Sequence, residues 1–246
     1  MISEVEFYTN LFTRDPSWSS AIPNYDEGLR GGKLLTFLTQ IVHTNPGPLR
    51  ILDVGCGRGW LTHLASQYGT CDGVDPVAPV VDLARRRYPN LKFYVGTLDA
   101  VISAADFRPY NVVLCSEVIE HIRDAEKPDF VRDLRTLLVP SGHLLMTSPR
   151  GEWSRAWSRM GSVPQPVEDW LSERSLLRLL SSHGFAAVQH DRVYLPLPWM
   201  SFFHRVCDSR RLANLLRPLH LDWVLMGLRF VAAFYQVWWF QAGETR

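Results

Sequence analysis

No uninterrupted apolar run in this 246-residue chain is long enough to cross a bilayer. The most apolar stretch, residues 221–240, is broken by Asp222, Arg229 and Gln236, whereas a span needs about 18 or more consecutive apolar residues. The opening MISEVEFYTNLF carries acids and lacks the basic-then-apolar pattern of a secretory signal. Cysteine is scarce. Four residues without a C-x-x-C pair argue against a zinc ribbon or a disulfide framework. Cys56, Cys71, Cys115 and Cys207 read as reduced thiols of a cytoplasmic protein. An excess of either charge is missing too, since 26 basic and 25 acidic residues leave a net charge of +1. Binding by wholesale neutralisation of phosphates needs a basic surplus, so no nucleic-acid partner is expected.

What the chain does hold is a hydrophobic share of 46%, ordinary for a globular domain. Short apolar runs at 50–54, 70–75, 92–95, 111–116 and 143–148 alternate with helix-like stretches at 60–68, 77–87 and 127–138. That alternation predicts a doubly wound α/β domain, with a parallel sheet and helices on both faces. Gly69 reads as the stop of the first of those helices. A helix is expected at 172–183, and further strands at 185–194 and 233–241. One domain accounts for residues 1–246. Within it, 1–45 form an N-terminal helix and lid, and 195–230 a helical insertion before the last strand.

The chemistry starts at Asp53–Trp60. Ile51-Leu52-Asp53-Val54-Gly55-Cys56-Gly57-Arg58-Gly59-Trp60 is an apolar strand running into a glycine turn that opens a helix. Glycines let the backbone bend tightly and approach a ligand, and the N–H groups at a helix start donate to anionic oxygens. A dinucleotide fingerprint, G-x-G-x-x-G, would place glycine at position 60, where this chain has Trp60. A phosphate-binding loop fails as well, because no Lys-Ser or Lys-Thr follows. Asp75 ends the second strand run, close to the spacing at which a carboxylate grips a ribose diol.

LDVGCGRGW, then GVDP, SEVIEHIRD and LVPSGHLLMTSPR, resemble the class I methyltransferases that use S-adenosylmethionine (SAM). The resemblance is closest to the quinone-biosynthesis and natural-product group that methylates small molecules. It covers about residues 50–150. It implies a seven-stranded, mostly parallel, Rossmann-like sheet with its last strand antiparallel, and S-adenosyl-L-homocysteine as the product. It further implies Asp53, Gly55, Cys56 and Gly57 around the methionine part of SAM, Asp75 on the ribose and Pro76 beside the adenine. Thr97 and Leu98 would flank the adenine edge, although many relatives have Asp where Thr97 stands. Ser116 and Glu117 would close the pocket.

The block Ser116-Glu117-Val118-Ile119-Glu120-His121 follows a strand directly, which gathers polar groups at its carboxyl end. Acids there can simply complement a helix dipole. His121 can instead act as a general base, since imidazole changes charge near neutral pH. On a helix, Glu117, Glu120 and His121 would share one face and could hold a divalent metal. Enzymes that methylate the 3′-terminal ribose of small RNAs carry a similar E-x-x-E-H block plus a later histidine. Here Pro164-Gln165-Pro166 stand near where that histidine is expected, so no metal is assigned.

Trp153 and Trp157 follow the fifth strand run, where aromatic walls would suit a planar or lipophilic acceptor. Residues 202–219 interleave apolar side chains with His204, Arg205, Arg210, Arg211 and Arg217. A basic amphipathic helix can lie on an anionic membrane surface, cap its own domain or form a dimer contact. The sequence thus points to a SAM-dependent methyltransferase, monomeric or homodimeric. Its acceptor is expected to be a hydroxyl of a small molecule, with an amine as the alternative. A non-catalytic SAM-binding scaffold is the rival from another class.

Overall fold

In a computed structural model of the chain, residues 3–45, 47–152, 166–193, 218, 224 and 233–243 are described. Three helices precede the sheet: α1 (Glu4–Arg14), α2 (Pro16–Ser19) and α3 (Tyr25–Thr44). Then follow β1 (Leu49–Val54), α4 (Trp60–Ala65), β2 (Gly69–Asp75), α5 (Ala78–Arg87), β3 (Lys92–Val95), α6 (Leu98–Ile102) and β4 (Tyr110–Ser116). After a 3-10 turn at Ile119–His121 come α7 (Lys127–Thr136), β5 (Leu138–Pro149), α8 (Glu173–Ser182), β6 (Phe185–Val193) and β7 (Tyr235–Ala242). The seven strands form one sheet in the order β3-β2-β1-β4-β5-β7-β6. β1 to β5 pair in parallel, and β7 runs antiparallel to both β5 and β6.

Central strands buried on both faces explain the near-continuous apolar runs. Leu34, Phe37, Leu38 and Ile41 of α3 pack with Leu61 and Ala65 of α4 on one face, against Ile51, Val112, Leu114 and Leu145. Leu98, Val101, Val131, Leu134, Leu176 and Leu180, from α6, α7 and α8, cover the other face, against Leu52, Val113 and Leu144. Each such side chain contributes about 1.5–3 kcal/mol when fully buried. The adjacent Trp238 and Trp239 point to opposite faces, as a period of two requires, and both are buried.

Two expectations need correction. Gly69 is not a helix stop, because α4 ends earlier and Gly69 opens β2, paired with Leu49. A Cβ there would meet the Leu49 carbonyl oxygen at 2.2 Å, so close strand approach demands the glycine. β5 begins at Leu138, five residues ahead of position 143, and reaches the longer pairing across an irregularity between Tyr110 and Val112. Residues 195–230, including the basic stretch 202–219, lie outside the described residues apart from 218 and 224, as do Trp153 and Trp157. Among the described residues no helix is long and apolar enough to cross a membrane.

Candidate active site

The carboxyl ends of β1, β2 and β4 open into a cavity of about 1170 Å³. That exceeds the roughly 300–1000 Å³ of an ordinary ligand pocket, leaving room for two ligands side by side. The glycine loop forms one wall, with Gly55, Gly57 and Gly59 all at positive φ (67°, 51° and 83°). Gly55 and Cys56 donate their N–H groups to the Val74 carbonyl, which ties the loop to β2. Asp75 then fixes the next turn: Oδ2 accepts from Gly57 N–H at 3.0 Å and Oδ1 from Val77 N–H at 2.9 Å. Each carboxylate oxygen keeps a second lone pair. Asp53 lies behind the loop, accepting from the Thr62 hydroxyl at 2.7 Å.

The opposite wall is the turn after β4. Thr147 donates its hydroxyl to Glu117 Oε1 at 2.9 Å, and so accepts from Ser116 Oγ, also at 2.9 Å. Glu117 sits at φ 58°, and Glu120 and His121 belong to a 3-10 turn. The expected common helical face of Glu117, Glu120 and His121 is therefore absent, because the chain turns sharply at the strand end. Among the described residues no three His, Cys, Asp or Glu side chains are grouped to hold a metal ion. His121 Nδ1 lies 2.9 Å from the Val167 carbonyl, and Tyr8 of α1 meets its ring edge-on at 5.8 Å. A carbonyl can only accept, so Nδ1 carries the proton and the neutral ring keeps its lone pair on Nε2.

Of the residues implied by resemblance, Asp53, Gly55, Cys56, Gly57, Asp75, Pro76, Thr97, Ser116 and Glu117 line this cavity, as does the candidate base His121. Leu98 departs from the expectation. Its side chain is buried in the core with Val101, and the cavity edge there belongs to Thr97. The Cys56, Cys71 and Cys115 thiols are free and buried, and burial pushes each well up. They are inert.

Sequence reasoning missed the buried charges that α3 brings to the cavity. Arg30 stacks over the Tyr235 ring at 4.5 Å, pairs with Asp26 at 2.7 Å and lies 3.8 Å from Glu117. Among the described residues its buried Nε has no hydrogen-bond partner, and neither has Glu120 Oε2. Arg58, inside the glycine loop, makes a two-pronged pair with Glu27 at 2.6 Å and 2.6 Å. One signal was legible: Asn24-Tyr25-Asp26-Glu27 has capping-box spacing ahead of an apolar run, and the box is formed. Helices α1 and α2 lie along the cavity, to which Phe7, Tyr8, Leu11, Phe12 and Trp18 contribute.

Burial raises the cavity's carboxyls: Asp53 is pushed up to about 7, Glu120 to about 7, and Asp75 and Glu117 rise as well. An unfolded aspartate titrates near 4. Between about 4 and about 7 the folded protein retains a proton that the unfolded chain has released, so Asp53 lowers stability as pH rises through that window. Asp53→Asn is expected to flatten the slope and to add roughly 3–4 kcal/mol above pH 7. Thermal melts of both proteins at about pH 5 and about pH 8 check this, and parallel pH dependence would refute it.

A doubly wound sheet with a glycine loop after β1, an acid closing β2 and a cavity at the strand ends is the architecture of class I methyltransferases. Known proteins agree. A family model described as Methyltransferase domain matches residues 25–190, more than half of the chain. The ubiquinone biosynthesis O-methyltransferase of Methylocella silvestris is 29% identical over 160 residues, covering 59% of this chain and 61% of that protein. Its counterpart in Bartonella tribocorum is 30% identical over 164 residues, covering 61% and 65%. The matches thus span less than two thirds of these relatives' lengths. The crystal structure of N-methyltransferase NodS from Bradyrhizobium japonicum WM9, in complex with S-adenosyl-L-homocysteine, superposes with a TM-score of 0.66 at 12% identity, covering 98% of this chain and 100% of that one. This chain belongs to the class I SAM-dependent methyltransferase family.

Proposed function

We propose that this protein binds SAM in the cavity and methylates a hydroxyl group of a small molecule. The residues present fit the donor. Asp75 has a free lone pair on each oxygen for a ribose diol. The Arg30 Nε–H, which makes no hydrogen bond among the described residues, suits the α-carboxylate, and the buried carboxyls suit a cationic ligand. Pro76 and Thr97 would border the adenine. Bound SAM supplies a methyl group already activated for in-line displacement, leaving S-adenosyl-L-homocysteine.

The chain's own work is to hold the acceptor, exclude water and take one proton. The observation that carries the hydroxyl reading is His121. Its Nδ1–H is pinned to the Val167 carbonyl, and the ring lines the cavity. The unprotonated Nε2 can receive the acceptor's hydroxyl proton as the oxygen attacks. Alignment of the two ligands supplies most of the remaining acceleration. Tyr8, Trp170, Phe234 and Tyr235 give the cavity aromatic walls suited to an apolar acceptor. An amine, such as that of an amino sugar, is the second reading, favoured by the buried Glu120 Oε2 without a partner. Free buried thiols accord with a reducing, cytoplasmic setting. Peripheral membrane contact through 202–219 would suit a lipid-like acceptor.

The test is transfer of label from methyl-labelled SAM to paired acceptors that differ only in hydroxyl against amine. Methylation of the hydroxyl partner supports the proposal. Methylation of the amine alone replaces it with the second reading, and SAM binding without transfer to either rejects both.

A further inference from the structure

We propose that Glu27, on α3 and outside the motifs of the donor site, is a positioning residue for that site and acts through Arg58. The inference rests on the donor reading above. The glycine loop is costly to order: three of its residues are glycines at positive φ, and the last of them, Gly59, is the α4 N-cap and has no side chain to cap the helix. Something must hold it. Arg58 is the residue between the last two of those glycines, and its side chain is 1% exposed. Its NH1 and NH2 donate to Glu27 Oε1 and Oε2, both at 2.6 Å, and its Nε donates to the Ser20 carbonyl at 2.5 Å. Glu27 is itself locked. Its Oε2 accepts from Asn24 N–H at 2.8 Å, and its own N–H donates to Asn24 Oδ1 at 2.9 Å.

The next backbone group toward the site is Gly57 N–H, the donor that orients Asp75 Oδ2. Hydrogen bonds from the α3 N-cap through Glu27 thus hold Arg58, and the backbone residue before it, Gly57, donates to the carboxylate assigned to the ribose. The same guanidinium grips Ser20, whose carbonyl also accepts from Arg87 at 3.4 Å, so the segment before α3 is registered against the loop. Loss of the Glu27 charge leaves Arg58 buried without its counter-ion. The guanidinium must then move toward water, and the loop backbone that carries it moves too.

The experiment compares the full-length wild type with Glu27→Gln, using S-adenosyl-L-homocysteine calorimetry, steady-state kinetics and a thermal melt. For Glu27→Gln the dissociation constant is expected to rise about tenfold or more, the scale of one lost charge-assisted hydrogen bond. KM for SAM should rise in parallel, with kcat at saturation within about twofold, as expected when uniform binding is lost. An unchanged dissociation constant, or a loss confined to kcat, overturns the proposal. If Glu27→Gln does not fold, Arg58→Lys decides: it keeps the charge but not the fork, so a similar loss is expected and wild-type affinity overturns the proposal. A wild type that fails to bind S-adenosyl-L-homocysteine rejects instead the donor reading on which the inference stands.

Discussion

Asp75→Ala is expected to weaken SAM binding by roughly two to four orders of magnitude, the largest effect of any single substitution in the cavity. Two ribose hydroxyls donating to a carboxylate form two charge-assisted hydrogen bonds, each contributing about 1.5–3 kcal/mol. Alanine removes both. It also releases Gly57 N–H and Val77 N–H, which Asp75 now fixes at 3.0 Å and 2.9 Å, so the loop loses its register as the ligand loses its anchor. Asp75→Asn keeps one accepting oxygen and should fall between the two proteins. The core should remain assembled, since Asp75 ends β2 at the cavity. Calorimetry with SAM and with S-adenosyl-L-homocysteine reads the effect; affinity within threefold of wild type would remove Asp75 from the ribose.

The second large effect is on turnover. His121→Ala should lower kcat by about 10²–10⁴-fold, the range of a positioned general base, while SAM affinity changes by less than about threefold. The separation follows from what holds each residue: His121 is held by the Val167 carbonyl and meets Tyr8, whereas Asp75 is held by the Gly57 and Val77 N–H groups. Unchanged turnover would show that the ring merely braces the 166–170 segment. That segment touches the turn a second time, where Asp169 N–H donates to the Glu120 carbonyl.

How legible each part was depends on the range of the forces that made it. Five parallel strands could be read because burial on both faces writes unbroken apolar runs, and their ends fell within a few residues of expectation. The start of β5 was hidden by Pro140-Ser141-Gly142, which looks like a turn and in fact carries Ser141 at φ 59° within the strand. Glu117-x-x-Glu120-His121 has helical spacing, but its first residue adopts a left-handed conformation set by the strand that ends beneath it. Spacing alone could not reveal that. Asp53 and Asp75 were recognisable because glycine and carboxylate chemistry imposes a local pattern. The Arg30–Tyr235 and Glu27–Arg58 pairings were not, because those partners lie 205 and 31 residues apart and only folding brings them together.

The β6–β7 junction carries a further consequence. Phe234 N–H donates to the Val193 carbonyl at 3.1 Å, and Arg150 donates to the Ala233 carbonyl at 2.8 Å. The intervening polypeptide thus departs and re-enters through a single doorway, which opens beside Phe234 and Tyr235 of the cavity. Because the doorposts are bonded to each other and to β5, the strand registers do not depend on how much chain passes between them. Doubling the length of a closed loop costs in general only about 0.6 kcal/mol. A change in the length of the chain between Val193 and Ala233 is therefore expected to leave the β6–β7 register and the cavity wall beside it intact.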